Sequence, residues 1–277
     1  MEGGNKMKTR LGGERSFRRF ALITLGIMTI LSLLPVILIV IASFTDENSL
    51  IANGYSYFPA KWSLDAYFYM VKQVKLITRA YGISFFVTIT GTLLSVLFTT
   101  TLAYPMSRKD FKFSKILTFL VFFTMLFNGG LVPTYINYTT VFHVKDTFFG
   151  LLVPSLMMSA FNVLLMKSYF VTGVPDEILE AAYIDGANEF QTMWKIAIPL
   201  SKPIITTVAM FSGIAYWNDW NNGYIYLTKR TDLYSIQNLL NQMITDIQYL
   251  ASGKVTGNIG AEVAKLPTTS IRMAIAF

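Results

Sequence analysis

The chain has 277 residues, of which 53% are apolar, 15% aromatic and only 14% charged, with a formal charge of +7 and a mean hydropathy of +0.48. Soluble domains carry about 25% charged residues, and here four uncharged runs of 20 to 27 residues occur at 20–45, 81–107, 116–142 and 147–166. Runs of about 18 or more apolar residues are long enough to cross a bilayer as helix, so a soluble enzyme, a disordered chain and a secreted disulfide scaffold are excluded; barrel strands need only about 10 residues each and alternate in polarity.

The absence of cysteine removes disulfides, thiolate metal sites and thiol nucleophiles, and the single His143 cannot build a multi-histidine metal site. Residues 1–19 carry Lys6, Lys8, Arg10, Arg15, Arg18 and Arg19 against Glu2 and Glu14. Such a basic flank predicts a cytoplasmic N-terminal segment over 1–19, followed by a transmembrane domain over 20–277. The first apolar run is too long for a signal-peptide core and no A-x-A site follows it, so it reads as a retained helix over about 18–44, bent at Pro35. A turn-rich outer segment follows at 45–80. Helix 2 is expected over about 81–107, with Arg108, Lys109, Lys112 and Lys115 marking a cytoplasmic loop after it.

Helix 3 is expected over about 116–138 and helix 4 over about 147–170. The acidic stretch 174–203 comes next and is cytoplasmic by alternation. Helix 5 should run over about 204–228, interrupted at Asp219, before an outer segment at 229–265. A sixth apolar run, Ile271 to Phe277, has seven residues and is too short to span about 30 Å. The fold class read from this pattern is an all-α, polytopic membrane protein of about six helices, the sixth truncated. The basic excess belongs to membrane flanks, so the partner it indicates is a lipid bilayer and not nucleic acid.

Residues 174–203 read as two short helices. Pro175 suits a first helical turn and Asp176 and Glu177 oppose the helix dipole, which gives a helix to about Ile184. Asp185-Gly186 signals a turn, and Asn188 with Gln191 has capping-box spacing. The second helix should stop near Ile198, because Pro199 disfavours helix at the residue before it. Ile178, Ala181 and Ala182 share a face that another surface could approach closely. From the residues alone, a docking element and an interfacial connector stand about equal.

Glu180-Ala181-Ala182, then Gly186, then Ile196 and Ile198-Pro199 strongly resemble the EAA motif of ABC importer permeases. The run EAAYIDGAN through KIAIPLSKP is similar to the carbohydrate-uptake branch, with Ile198 where the family usually has leucine. The segment from Phe127 to Tyr135, FNGGLVPTY, resembles the subgroup linked to oligosaccharides and polysaccharide fragments. The resemblance implies a type I importer transmembrane fold with a cytoplasmic coupling helix in the bacterial cytoplasmic (inner) membrane. It further implies a second homologous permease, two ATPase subunits and an extracytoplasmic sugar-binding protein. Glu180, Ala181, Ala182, Asp185, Gly186, Ile196 and Pro199 are thereby implied in ATPase coupling.

No G-x-x-x-x-G-K-[S/T] phosphate cradle occurs. No cofactor is therefore expected in this chain, ATP and Mg²⁺ belonging to the partner ATPase subunits, and the chain itself is expected not to be an enzyme. Tyr216, Trp217, Asn218, Asp219 and Trp220 form a polar, aromatic stretch suited to lining a sugar path, since an intramembrane Asp normally faces a polar cavity; an interfacial aromatic belt is equally consistent. Asn128 with Gly129 and Gly130 could open helix 3 beside that path, make a close helix contact, or end the helix. Tyr234, Gln237, Asn238 and Gln242 are candidates for meeting the binding protein. The rival functions are an ATP-independent secondary transporter or channel and a membrane-embedded enzyme; the EAA stretch and the lack of a catalytic cluster oppose them.

Overall fold

The computed structural model describes residues 3–251 together with Ser270 and Met273. The expected sixth helix and the end of the 229–265 segment lie outside the described residues, Ser270 and Met273 apart. Two compact units are present, one made of residues up to Val74 and from Met243 on, the other of Lys75–Gln242. The division does not fall at residue 19.

In the first unit, helix α1 (Gly3–Ser43) runs on through the basic N-terminal residues, so these are helical from Gly3 on. Pro35 lies inside that helix. From Phe17 to Ile37 its large apolar side chains are exposed on every side, the surface of a helix solvated by lipid. Helix α2 (Glu47–Asn53) is capped by Asp46, whose carboxylate accepts the Ser49 N–H at 3.3 Å, and α3 is Asp65–Lys72. Phe44 stacks on Tyr67 at 4.9 Å, and the Tyr67 and Ser43 hydroxyls are 2.9 Å apart.

The second unit is organised by helix α4 (Val74–Ser107), 34 residues and unbroken. Ser84, Gly91, Ser95, Thr99 and Ala103 recur along it at one-turn or two-turn spacing and are buried or close-packed. Small residues let helix backbones approach in a membrane. Here they receive helix α11 (Lys202–Trp217): the Ser95 and Ser212 hydroxyls are 2.9 Å apart, and a Cβ at Gly91 would lie 2.5 Å from Cζ of Tyr216. A Gly91→Val substitution is therefore expected to cost about 1–3 kcal/mol by overpacking, read as a lower melting temperature of the detergent-solubilised protein.

Two expected helices are broken, each for a local reason. Helix α5 (Ser114–Leu126) stops at the Asn-Gly-Gly sequence; Gly130 takes φ +84° and Asn128 Oδ1 accepts its N–H at 2.8 Å. The following helix α6 (Leu131–Val141) leaves at 118° to α5. Of the three readings of Asn128-Gly129-Gly130, the structure shows a helix end, and a Cβ at either glycine would meet nothing within 4 Å, so no close contact is made there within the chain. The expected helix 4 is divided into α7 (Phe149–Leu152) and α8 (Ala160–Gly173) around Pro154 and a left-handed Ser155 at φ +64°. Proline lacks the N–H that would continue the ladder.

The hairpin helices are α9 (Asp176–Ile184) and α10 (Glu189–Leu200). Helix α10 does not stop before Pro199. It passes through a π-helical turn, Met193–Ala197, and Pro199 then begins a fresh turn, where its missing N–H leaves no bond unmade. The chain turns by 82° at Ser201 into α11. Helix α12 (Asn221–Tyr226) follows the interruption at Asp219, and α13 is Ile236–Ala251. Ala103, Met106, Val163, Met166, Leu179, Met193, Ala197, Ile204 and Val208 make one apolar core joining α4, α8, the hairpin and α11.

Candidate functional site: the acidic hairpin and the opposite end of α4

Helix α9 ends in a bond pattern set by Gly186. The Gly186 N–H donates to Tyr183 O at 3.0 Å and the Ala187 N–H to Ala182 O at 2.9 Å. These are the paired bonds of a Schellman ending, which needs a left-handed residue at this position, and Gly186 has φ +81°. Helix α10 then opens on a capping box: Asn188 Oδ1 accepts the Gln191 N–H at 2.8 Å while Gln191 Oε1 accepts the Asn188 N–H at 3.1 Å. The turn and cap foreseen from sequence are thus present.

Leu179 and Ala182 face inward and are buried, and Ile196 packs against the same core. Ala182 therefore does not belong to the outward surface expected for it; one helical turn brings it beside Leu179 and into the core. Glu180, Ala181, Asp185, Gly186 and Pro199 are exposed. So are two large apolar side chains, Ile184 at 87% and Phe190 at 67%.

The hairpin is braced against the C-terminal end of α4 and the two residues that follow it, 67 or more residues earlier in the chain. Tyr104 donates its hydroxyl to Glu189 Oε2 at 3.1 Å. Arg108 donates from Nη2 to the Tyr183 hydroxyl at 3.3 Å, and its guanidinium lies 5.6 Å from the Tyr183 ring centroid. Lys109 Nζ reaches Asp176 Oδ2 at 2.6 Å. Burial raises the Tyr183 phenol above its ordinary range, and the Glu189 carboxylate adds to that shift. The hydrogen bond from Lys109 holds Asp176 below the usual carboxylate range, but both side chains are well exposed, so this ion pair contributes little. Beside Tyr104, Arg108, Glu189 and Phe190 lies a mainly apolar cavity of about 450 Å³. The bases at 108 and 109 mark more than topology, and their pairing with the acidic hairpin is a signal sequence reading passed over.

About 38 Å along α4 from Tyr104, at 1.5 Å per residue, Arg79 meets Asp232 at 3.2 Å. At this end Tyr216 is buried at 3% and donates to Leu152 O at 2.8 Å, so it is a packing residue and does not line an open path. Trp217 is half-buried, edge-on to Phe85 at 5.1 Å. Asn218 is exposed and bonds back to Ile214 O. Asp219 accepts the Asn221 and Asn222 N–H groups at 3.1 and 3.3 Å, capping α12. Trp220 and Asn128 are exposed. Asn238 is buried, bonded to Trp220 O and Ser235, so it is internal and not available to a partner; Gln242 is exposed and Tyr234 and Gln237 are half-buried.

Asp146, at φ +54°, ties the α6–α7 connection to the segment after α12. Its carboxylate accepts the N–H groups of Thr228 and Lys229, both at 2.7 Å, and of Arg230 at 3.3 Å, and the Thr228 hydroxyl at 2.9 Å. These donors, the Lys229 amide foremost, hold its pKa far below the usual carboxylate range. A depressed carboxylate stabilises the folded state above its ordinary pKa and loses that contribution only as pH falls further. Asp146→Ala should accordingly speed amide exchange at 228–230 by about tenfold or more near neutrality, measured by hydrogen–deuterium exchange, and wild type should match it only in strong acid.

Residues 77–256 match the family described as binding-protein-dependent transport system inner membrane component, nearly the second compact unit. The chain is 33% identical over 251 residues to Protein LplC of Bacillus subtilis, covering 91% of this chain and 82% of LplC. It is 32% identical over 263 residues to the polygalacturonan/rhamnogalacturonan transport system permease protein YtcP of the same organism, covering 93% and 88%. Among solved structures, a bacterial ABC transporter involved in the import of the acidic polysaccharide alginate superposes with a TM-score of 0.78 at 27% identity, over 95% of this chain and 91% of that one.

Proposed function

The chain belongs to the family of binding-protein-dependent transport system inner membrane components, and on that premise we propose how its hairpin and far end divide the work of an ABC importer permease. The hairpin 174–203 is the element gripped by a cytoplasmic ATPase subunit. ATP and Mg²⁺ are bound and turned over by two such subunits, and closure of that pair moves the hairpin. The observation that carries the reading is the exposed tip: Ile184 and Phe190 are uncovered on the same hairpin as the exposed Glu180, Ala181 and Gly186, while the other face is anchored in the core. Large apolar groups gathered on a polar hairpin gain by being covered.

The basic residues of 1–19 support a cytoplasmic N-terminus in the bacterial cytoplasmic membrane, and with the hairpin in the cytoplasm Arg79, Asp146 and Asp232 lie outside. A second, homologous permease completes the translocation path, to which Asn128, Asn218 and Trp220 contribute polar and aromatic surface. An extracytoplasmic binding protein delivers the cargo to the outer end. The names of the relatives, YtcP and an arabinooligosaccharide permease among them, support oligosaccharides or polysaccharide fragments as cargo.

Reconstitution of this chain with its partner permease, ATPase subunits and binding protein tests the reading. ATP hydrolysis should rise on adding oligosaccharides and not the corresponding monosaccharides, and uptake should require ATP. Uptake that proceeds without ATP or without the ATPase subunits would overturn it.

A further inference from the structure

The hairpin is continuous in sequence with two helices, and both are poor levers. Helix α8 has 14 residues, about 21 Å, and ends at the break before Ala160. Helix α11 has 16 residues and meets the hairpin at an 82° turn. Among the described residues the longest helix that touches the hairpin is α4, whose 34 residues extend about 51 Å. It has no covalent continuity with the hairpin and is held by side chains alone.

Those side chains differ in kind. The apolar contacts of Ala103 and Met106 with the core are non-directional and tolerate sliding. Lys109–Asp176 is exposed and screened by solvent. Tyr104 and Arg108 are directional and protected: Tyr104 is 5% exposed and the Arg108 side chain 12%. They reach both hairpin helices, Tyr104 to Glu189 on α10 and Arg108 to Tyr183 on α9. Both bonds are partly buried, Glu189 itself being exposed, and a directional hydrogen bond fixes register where apolar contact does not.

We propose that Tyr104 and Arg108 are positioning residues that pass movement of the hairpin into α4, and so to the far end of the permease. The proposal rests on the hairpin being the ATPase-gripped element. When the hairpin moves, the Glu189 carboxylate and the Tyr183 ring carry the end of α4 with them; without these two links the hairpin slides past α4. At the far end α4 holds Asp232 through Arg79 and the Ile236 N–H through Ser84, so its displacement reaches α13.

The test uses the full importer in proteoliposomes, comparing wild type with Tyr104→Phe, Arg108→Lys and Glu189→Gln. Because the chain has no cysteine, Lys75→Cys near the far end of α4 and Glu177→Cys on the hairpin report local movement by labelling rate. In Tyr104→Phe and Arg108→Lys the ATPase subunits should still co-purify and hydrolyse ATP, while sugar moved per ATP falls about tenfold, the loss of one partly buried hydrogen bond. ATP should still change labelling at 177 but no longer at 75. Glu189→Gln, which keeps an acceptor for Tyr104, should stay near wild type. Unchanged sugar per ATP in both variants, or equal loss of ATPase binding and uptake, would overturn the proposal. Wild-type chain that fails to bind ATPase subunits would instead overturn the reading of the hairpin.

Discussion

Gly186→Val should abolish sugar uptake and release the ATPase subunits while leaving the permease folded. The reason lies in what surrounds Gly186. A Cβ there would meet nothing within 4 Å, so no steric clash arises. The cost is in the backbone: φ +81° is left-handed, which an ordinary L-residue adopts at about 1–2 kcal/mol and a β-branched one less readily. Valine relieves that strain by leaving the left-handed region, which breaks the bonds from Gly186 to Tyr183 and from Ala187 to Ala182 and re-aims α10 relative to α9. Gly186→Asn, which tolerates the same conformation, should retain most binding and uptake. Glu180→Lys reverses an exposed charge with no ion pair among the described residues and should weaken association with little effect on folding. Co-purification from membranes together with uptake checks all three. Valine at 186 with normal association and transport would remove the hairpin from the ATPase contact.

The hairpin was legible because its signals are local. Asp176, Gly186, Asn188 and Gln191 act on residues within a turn or two of themselves, and each acts as its spacing requires; Pro175, expected in the first turn, stands one residue before it as the extended cap residue. Ala182 was misplaced because an exposed and a buried alanine look alike in sequence, and the one-turn step from Leu179 decides the matter. Of the long-range braces, the bases at 108 and 109 and an acidic stretch were visible in sequence, but not which of them meet. Nothing near Tyr104 announces Glu189, 85 residues away.

The breaks at 127–130 and 153–159 divide uncharged runs that are long enough to span. A hydropathy run records transfer to lipid and says nothing of whether the helix is continuous. Pro154 was visible, but a proline inside an apolar run bends some helices and ends others. Which occurs depends on whether remote groups can satisfy the freed carbonyls.

Here they can, and this yields the second large effect. Within the break, Leu152 O accepts the Tyr216 hydroxyl at 2.8 Å and Pro154 O accepts the Asn222 amide at 2.9 Å. Both side chains are nearly inaccessible, at 3% and 2%. Irregular backbone away from water needs protein groups to satisfy it, and a buried carbonyl left without a partner costs about 1–3 kcal/mol. Tyr216→Phe removes one donor and no volume; Asn222→Leu removes the other at similar size. Each alone should lower the melting temperature of the purified complex, Tyr216→Phe costing about 1–3 kcal/mol for the carbonyl it leaves unpaired and Asn222→Leu about 0.5–1.5 kcal/mol, because Pro154 O keeps the Leu156 N–H at 2.8 Å. The pair should cost about 1.5–4.5 kcal/mol and lower the amount of folded permease in the membrane. ATPase activity per folded complex should be unchanged in the single variants, because both side chains secure the α7–α8 break and neither touches the hairpin. Tyr216 drew notice in sequence as a sugar-stacking ring. If Tyr216→Phe left stability intact and changed which saccharides stimulate hydrolysis, its ring would belong to the path after all, and the α7–α8 break would need another source of hydrogen-bond donors.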